Sequence, residues 1–127
     1  RLVFSGNLKV SQRDALRDYE SYTSVAAGVR LTGYYRPGPV GDAASPWSTS
    51  FGVDYVTTDY DDNGDPGLPS AAPVREENRW NLVLSTDIPL STDWSLVADV
   101  NYADNASNIE LFEYDSWGVG LGVAFTF

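Results

Sequence analysis

The last eleven residues of the chain carry its most restrictive pattern. From Trp117 the odd positions read Trp117, Val119, Leu121, Val123, Phe125 and Phe127, and the even ones read Gly118, Gly120, Gly122, Ala124 and Thr126. Side chains of an extended strand point alternately to two faces, so this segment predicts a strand with one large apolar face and one nearly bare face. The same period of two recurs upstream. Trp94, Leu96, Ala98, Val100 and Tyr102 alternate with Ser95, Val97, Asp99 and Asn101, and Trp80, Leu82, Leu84, Thr86 and Ile88 alternate with Asn81, Val83, Ser85 and Asp87. Trp47, Thr49, Phe51, Val53 and Tyr55 stand against Ser48, Ser50, Gly52 and Asp54. Val25, Ala27, Val29 and Leu31 stand against Ser24, Gly28, Arg30 and Thr32, and Leu2, Phe4, Leu8 and Val10 against Ser5, Asn7, Lys9 and Ser11. Six strands emerge, with no helical stripe competing.

Each strand is roughly ten residues or more, longer than the usual soluble strand and about what a tilted strand needs to cross a bilayer. The polar face is made mostly of small residues, as inside a curved sheet, where a solvated sandwich face would carry many long charged side chains. The expected architecture is therefore an all-β, antiparallel, up-and-down transmembrane β-barrel, with residues 1–127 as one partial barrel domain. A soluble extracellular β-sandwich that binds calcium or glycan through acidic loops is the alternative.

Composition narrows the function. The chain has 127 residues, no Cys, no His, and a formal charge of −10 from 18 acidic and 8 basic side chains. The missing thiols and imidazoles remove thiol nucleophiles, Cys-based zinc sites and catalytic triads. The negative charge argues against nucleic acid as a partner. No stretch of about 18 apolar residues exists to form a membrane-crossing helix, a test that does not apply to barrels.

Connections alternate in character. Those after the second and fourth strands are Pro/Gly turns, at Pro37–Pro46 and around Pro89 and Ser91–Asp93, whereas Gln12–Tyr22, Thr57–Asn78 and Ala103–Ser116 are longer or more charged. Outer-membrane barrels alternate short periplasmic turns with long external loops in this way. Trp47 and Trp94 follow the short turns and Phe127 ends at their level, while Trp80 and Trp117 follow the long loops, as interfacial girdles would require.

The terminal Gly122-Val-Ala-Phe125-Thr-Phe127 resembles the C-terminal signal of bacterial outer-membrane β-barrels, with Gly120 where that pattern usually has a polar residue. Over residues 75–127, Glu77-Asn78-Arg79-Trp80, the Pro turn at Ile88–Trp94, Ser107-Asn108-Ile109 and Tyr114-Asp115 are similar to the last hairpins of a narrower group. These are the barrels of surface lipoprotein assembly modifiers, fused behind periplasmic tetratricopeptide repeats. The resemblance implies the bacterial outer membrane as location, the barrel-assembly machinery as reader of Gly122, Phe125 and Phe127, and the bilayer and its surface lipid as partners. It implies a pore, an export conduit or a membrane anchor.

Candidate chemistry is sparse. Asp59-Tyr-Asp61-Asp-Asn63-Gly64 fits the first half of an EF-type loop, in which Asp59, Asp61 and Asn63 would bind Ca2+, but Ser70 stands where the bidentate Glu belongs. A solvated acidic hairpin tip is the plainer reading. Lys9, Arg30, Asp54, Asp87 and Asp99 fall on the polar face as lumen-facing charges, either paired across the interior or lining a path. The carboxylate pairs Asp61/Asp62 and Glu76/Glu77 have no implied apolar pocket to raise a pKa, so no enzymatic activity is expected. Single-chain barrels begin at eight strands, so the six here require strands from sequence before Arg1 or from other chains.

Overall fold

The computed structural model describes residues 1–15, 21–36, 45–61 and 73–126. Six strands form one antiparallel sheet: β1 (Leu2–Arg13), β2 (Tyr22–Tyr35), β3 (Trp47–Tyr60), β4 (Glu76–Pro89), β5 (Trp94–Ser107) and β6 (Tyr114–Phe125). Each strand pairs with its neighbours in sequence, in the order β1-β2-β3-β4-β5-β6. The sheet is open: β1 and β6 are its edges and do not pair with each other. Among the described residues no second sheet faces it, so the two layers of a β-sandwich are not present.

Directly opposed residues of antiparallel strands share a face. Register can therefore be followed across the sheet through Gly6↔Val29, Val29↔Val53, Val53↔Leu82, Leu82↔Tyr102 and Tyr102↔Trp117. This path places all six apolar sets on one continuous face. That face is uncovered. Leu8 is 74% exposed, Trp117 76% and Leu121 75%, and no hydrophobic side chain is buried among the described residues.

The opposite, small-residue face is the more sheltered, although it is the more polar. Side chains there lie over glycines on adjacent strands. Asp54 and Asn7 both cover Gly28, Arg30 covers Gly52, Asn101 covers Gly118 and Asp99 covers Gly120. A Cβ at Gly28 would sit 2.8 Å from the Asn7 Oδ1 and inside the Asp54 carboxylate, so the bare position is what lets both side chains fold inward. Convergence of side chains on one face and their exposure on the other is the expected result of curvature toward the polar face.

The strands run further than alternation alone indicates. β3 continues through Thr57 to Tyr60, β4 begins at Glu76, β5 reaches Ser107 and β6 starts at Tyr114. The ends of the Gln12–Tyr22 and Thr57–Asn78 connections and more than half of Ala103–Ser116 are thus paired strand, and Trp80 and Trp117 lie inside β4 and β6 rather than at their starts. The reason is chemical. Beyond Tyr55 and Trp80, β3 and β4 carry polar residues on both faces apart from Val56, so the period of two disappears while backbone pairing, which needs no apolar side chain, goes on.

The β4–β5 turn is closed by Leu90 N–H and Ser91 N–H, which donate to the Trp94 carbonyl at 2.8 and 3.1 Å. Pro89, which has no N–H, falls at a strand end, past the last β3–β4 pair at Ser48↔Asp87.

Candidate functional site: the polar face and its projecting end

On the apolar face, aromatic residues recur eight positions apart on three strands: Trp47 and Tyr55, Trp94 and Tyr102, Trp117 and Phe125. They meet across strands. Tyr35 packs on Trp47 with ring centroids 6.3 Å apart, Tyr55 on Trp80 at 4.7 Å, and Trp94 on Phe125 at 4.7 Å. Two aromatic rows therefore bound the apolar band, separated by about 27 Å along a strand at about 3.4 Å per residue. Within the band, Thr49 and Thr86 satisfy each other at 3.1 Å, and Thr49 also meets the Tyr35 hydroxyl at 2.8 Å. At the upper row the Tyr55 hydroxyl donates to the Asn78 side chain at 2.7 Å, pointing its polar tip away from the band. Above that row the same face turns polar, with Thr57, Asp59, Glu76, Asn78 and Asp104.

Lys9, Arg30, Asp54, Asp87 and Asp99 all lie on the polar face, as their alternation implies. They are not brought together as ion pairs: among the described residues none of the five forms one. Each is instead set among small neighbours. Asp54 stands opposite Gly28, Asp99 opposite Gly120, and Asp87 accepts a hydrogen bond from the Ser95 hydroxyl at 3.1 Å. Gly122 shares this face, and a Cβ there would meet nothing within 4 Å. Phe125 lies on the apolar face against Trp94, and Phe127 lies outside the described residues.

Asp59 is the penultimate residue of β3, paired with Glu76, and the Asp61 N–H donates to the Ser21 carbonyl at 3.1 Å. Asn63 and the rest of the candidate calcium loop lie outside the described residues. Among the described residues no three acidic side chains gather as a metal site.

The densest side-chain constellation is one that alternation does not reveal. At the projecting end, the Arg75 guanidinium lies between the Tyr60 ring, 3.9 Å from its centroid, and the Phe112 ring, at 3.8 Å. Its Nε donates to Glu77 Oε1 at 2.7 Å and its Nη2 to the Tyr60 hydroxyl at 3.0 Å. Both charged side chains are mostly buried, at 16% and 14% exposure, so the pair escapes part of the screening that weakens surface ion pairs. Phe112 ends a short 3-10 turn, Glu110–Phe112, and its carbonyl accepts from the Asn105 side chain at 2.9 Å. Asn105 is only 3% exposed. Asn108 ties the β5–β6 connection back to β4, donating to the Val74 carbonyl at 2.7 Å and accepting from the Glu76 N–H at 2.9 Å. Tyr22 packs on Tyr60 at 5.6 Å, which joins β2 to the same cluster.

Beside this clasp is a recess in the polar face, lined by Tyr22, Ser24, Thr58, Tyr60, Glu77 and Arg79. It is partly open to solvent. No protein-family model, no curated protein and no solved structure matches the chain.

Proposed function

We propose that the chain forms one wall of a bacterial outer-membrane β-barrel, with its apolar face to lipid and its polar face to the lumen. Its role in this reading is that of a pore, an export conduit or a membrane anchor, and not an enzyme. One observation carries the proposal: every large apolar set faces the same way, uncovered, between two aromatic rows. A single sheet with no buried apolar side chain among the described residues has little apolar burial in water, and an apolar surface of this extent marks contact with lipid or another protein. The hydroxyl pairing of Thr49 and Thr86 supports lipid, since polar groups inside a bilayer must find internal partners.

The two open edges extend the proposal. In lipid, each unpaired N–H or C=O of β1 and β6 costs several kcal/mol, so strands from preceding sequence or from other chains complete the barrel. The Gly122–Phe125–Phe127 pattern supplies recognition by the assembly machinery, and acidic groups at the projecting end face the surface lipid.

The test is to compare folding with and without a bilayer. The 127-residue chain is expected to reach its β-sheet circular dichroism spectrum only in detergent or lipid, and native mass spectrometry in detergent is expected to show a discrete oligomer or no stable closed species. A 127-residue monomer that stays folded in plain buffer would overturn the membrane assignment and favour a soluble binding module. A closed monomer in detergent would overturn the need for added strands.

A further inference from the structure

We propose that the recess around Arg79 binds a tetrahedral oxyanion of the phosphate type, either free or as the phosphomonoester of a larger molecule. Arg79 sits mid-sheet on the polar face, opposite Val56 on β3 and Asn105 on β5. Its Nε is buried with no hydrogen-bond partner. No ion pair engages its guanidinium among the described residues, and the Glu77 carboxylate that also lines the recess is bonded through Oε1 to Arg75. The recess thus holds a guanidinium with no direct partner, beside a carboxylate already held by a second arginine. A buried donor left unpaired costs free energy, and native structures rarely leave one without water or an ion as its partner.

The surroundings indicate what the partner is. Ser24 and Thr58 face each other across β2 and β3, and Tyr22 faces Tyr60 one step further along the same pair. Hydroxyls from two strands and a guanidinium from a third therefore converge on one space. A guanidinium offers parallel donors to two oxygens, and the hydroxyls can donate to the others, which suits a tetrahedral anion with oxygens in several directions. Asn105, locked to the Phe112 carbonyl, closes one side of the recess. The overall charge of −10 repels anions, so any phosphate that binds does so through this local arrangement.

The site belongs to the strands described here and does not depend on the membrane assignment. Its test follows the Arg79 Nε–H signal by NMR in the medium where the protein folds, while inorganic phosphate or glycerol phosphate is added at constant ionic strength. A saturable shift with either, and none with chloride, is expected. Tighter binding of the ester assigns the ligand to a larger molecule, and equal binding assigns free phosphate. R79Q should abolish the phosphate-induced rise in Tm, R79K should weaken apparent affinity at least tenfold, and R30Q should leave both readouts unchanged. Absence of a saturable shift, an equal response to chloride, or an undiminished response in R79Q would overturn the site. Phosphate binding without lipid insertion, or the reverse, separates this inference from the barrel reading.

Discussion

Two halves of the same sheet are built on different principles, and the Tyr55–Trp80 pair marks the line between them. Below it, side chains are sorted by chemistry: the large apolar residues on one face, and on the other mainly glycine, serine and short polar or acidic residues, with Val83 and Val97 among them. Above it polar residues predominate on both faces, with Val10, Val25 and Val56 as exceptions, and order comes from individual contacts such as Arg75 between Tyr60 and Phe112. The band half is specified by a repeating pattern in which many residues of one kind serve. The projecting half depends on a few particular side chains, and its contacts join β2, β3, β4 and the β5–β6 connection.

The largest separation of the halves should come from the end of β6. Removing Phe127, or replacing it with a charged residue, is expected to block delivery to the outer membrane while leaving the projecting cluster's own chemistry untouched. Normal outer-membrane levels of that variant would break the proposed role of the terminal aromatics. Next in size is the contrast of faces inside the band. Arg at Leu84 or Val100 should cost roughly 2–4 kcal/mol in lipid if near the midplane, and Arg at Ser85 or Asn101 much less. Denaturant titration in lipid vesicles measures both, and equal costs would remove the inside–outside assignment.

A finer comparison lies between two glycines of the polar face. Gly28→Ala must push aside Asp54 and Asn7 and should destabilise by about 1–3 kcal/mol through overpacking. Gly122→Ala has open space and should fold normally, so any assembly defect it shows would be one of recognition rather than packing. In the projecting half, Arg75→Ala removes two cation–π contacts and leaves the mostly buried Glu77 carboxylate without its partner, and should lower stability by about 1–3 kcal/mol. Its signature is local: amide exchange at residues 108–113 should accelerate while the band strands stay protected. Uniform acceleration across all six strands would show that the halves are not separable.

The contrast also explains what could be read from residues alone. The six strands, their faces and the placement of Lys9, Arg30, Asp54, Asp87 and Asp99 on one side follow from alternation, because a register that keeps one face apolar fixes every side chain on it. The strand ends did not follow, since Gln12, Thr57 and Asn78 carry no apolar signal although the ladder includes them. The Arg75 clasp and the Arg79 recess were equally hidden. Tyr60, Arg75 and Phe112 are far apart in sequence, and only the β3–β4 register and the turn at Glu110–Phe112 bring them together. The one local clue, Arg75 just before β4 and Glu77 two positions on, reads in the sequence as ordinary surface charge.

The repeated interval of eight residues between aromatics has a consequence for where such a sheet can reside. At strand tilts of about 35–45°, the ~27 Å between rows projects to roughly 19–22 Å along the membrane normal. A bilayer much thicker than this would have to compress around the protein, at a fraction of a kcal/mol for each ångström of mismatch. The spacing of Trp47 from Tyr55 and of Trp94 from Tyr102 is in that sense a ruler. Under the barrel proposal it would favour thin membranes, and lipids with short acyl chains should then accept the sheet faster and hold it more firmly than long-chain ones.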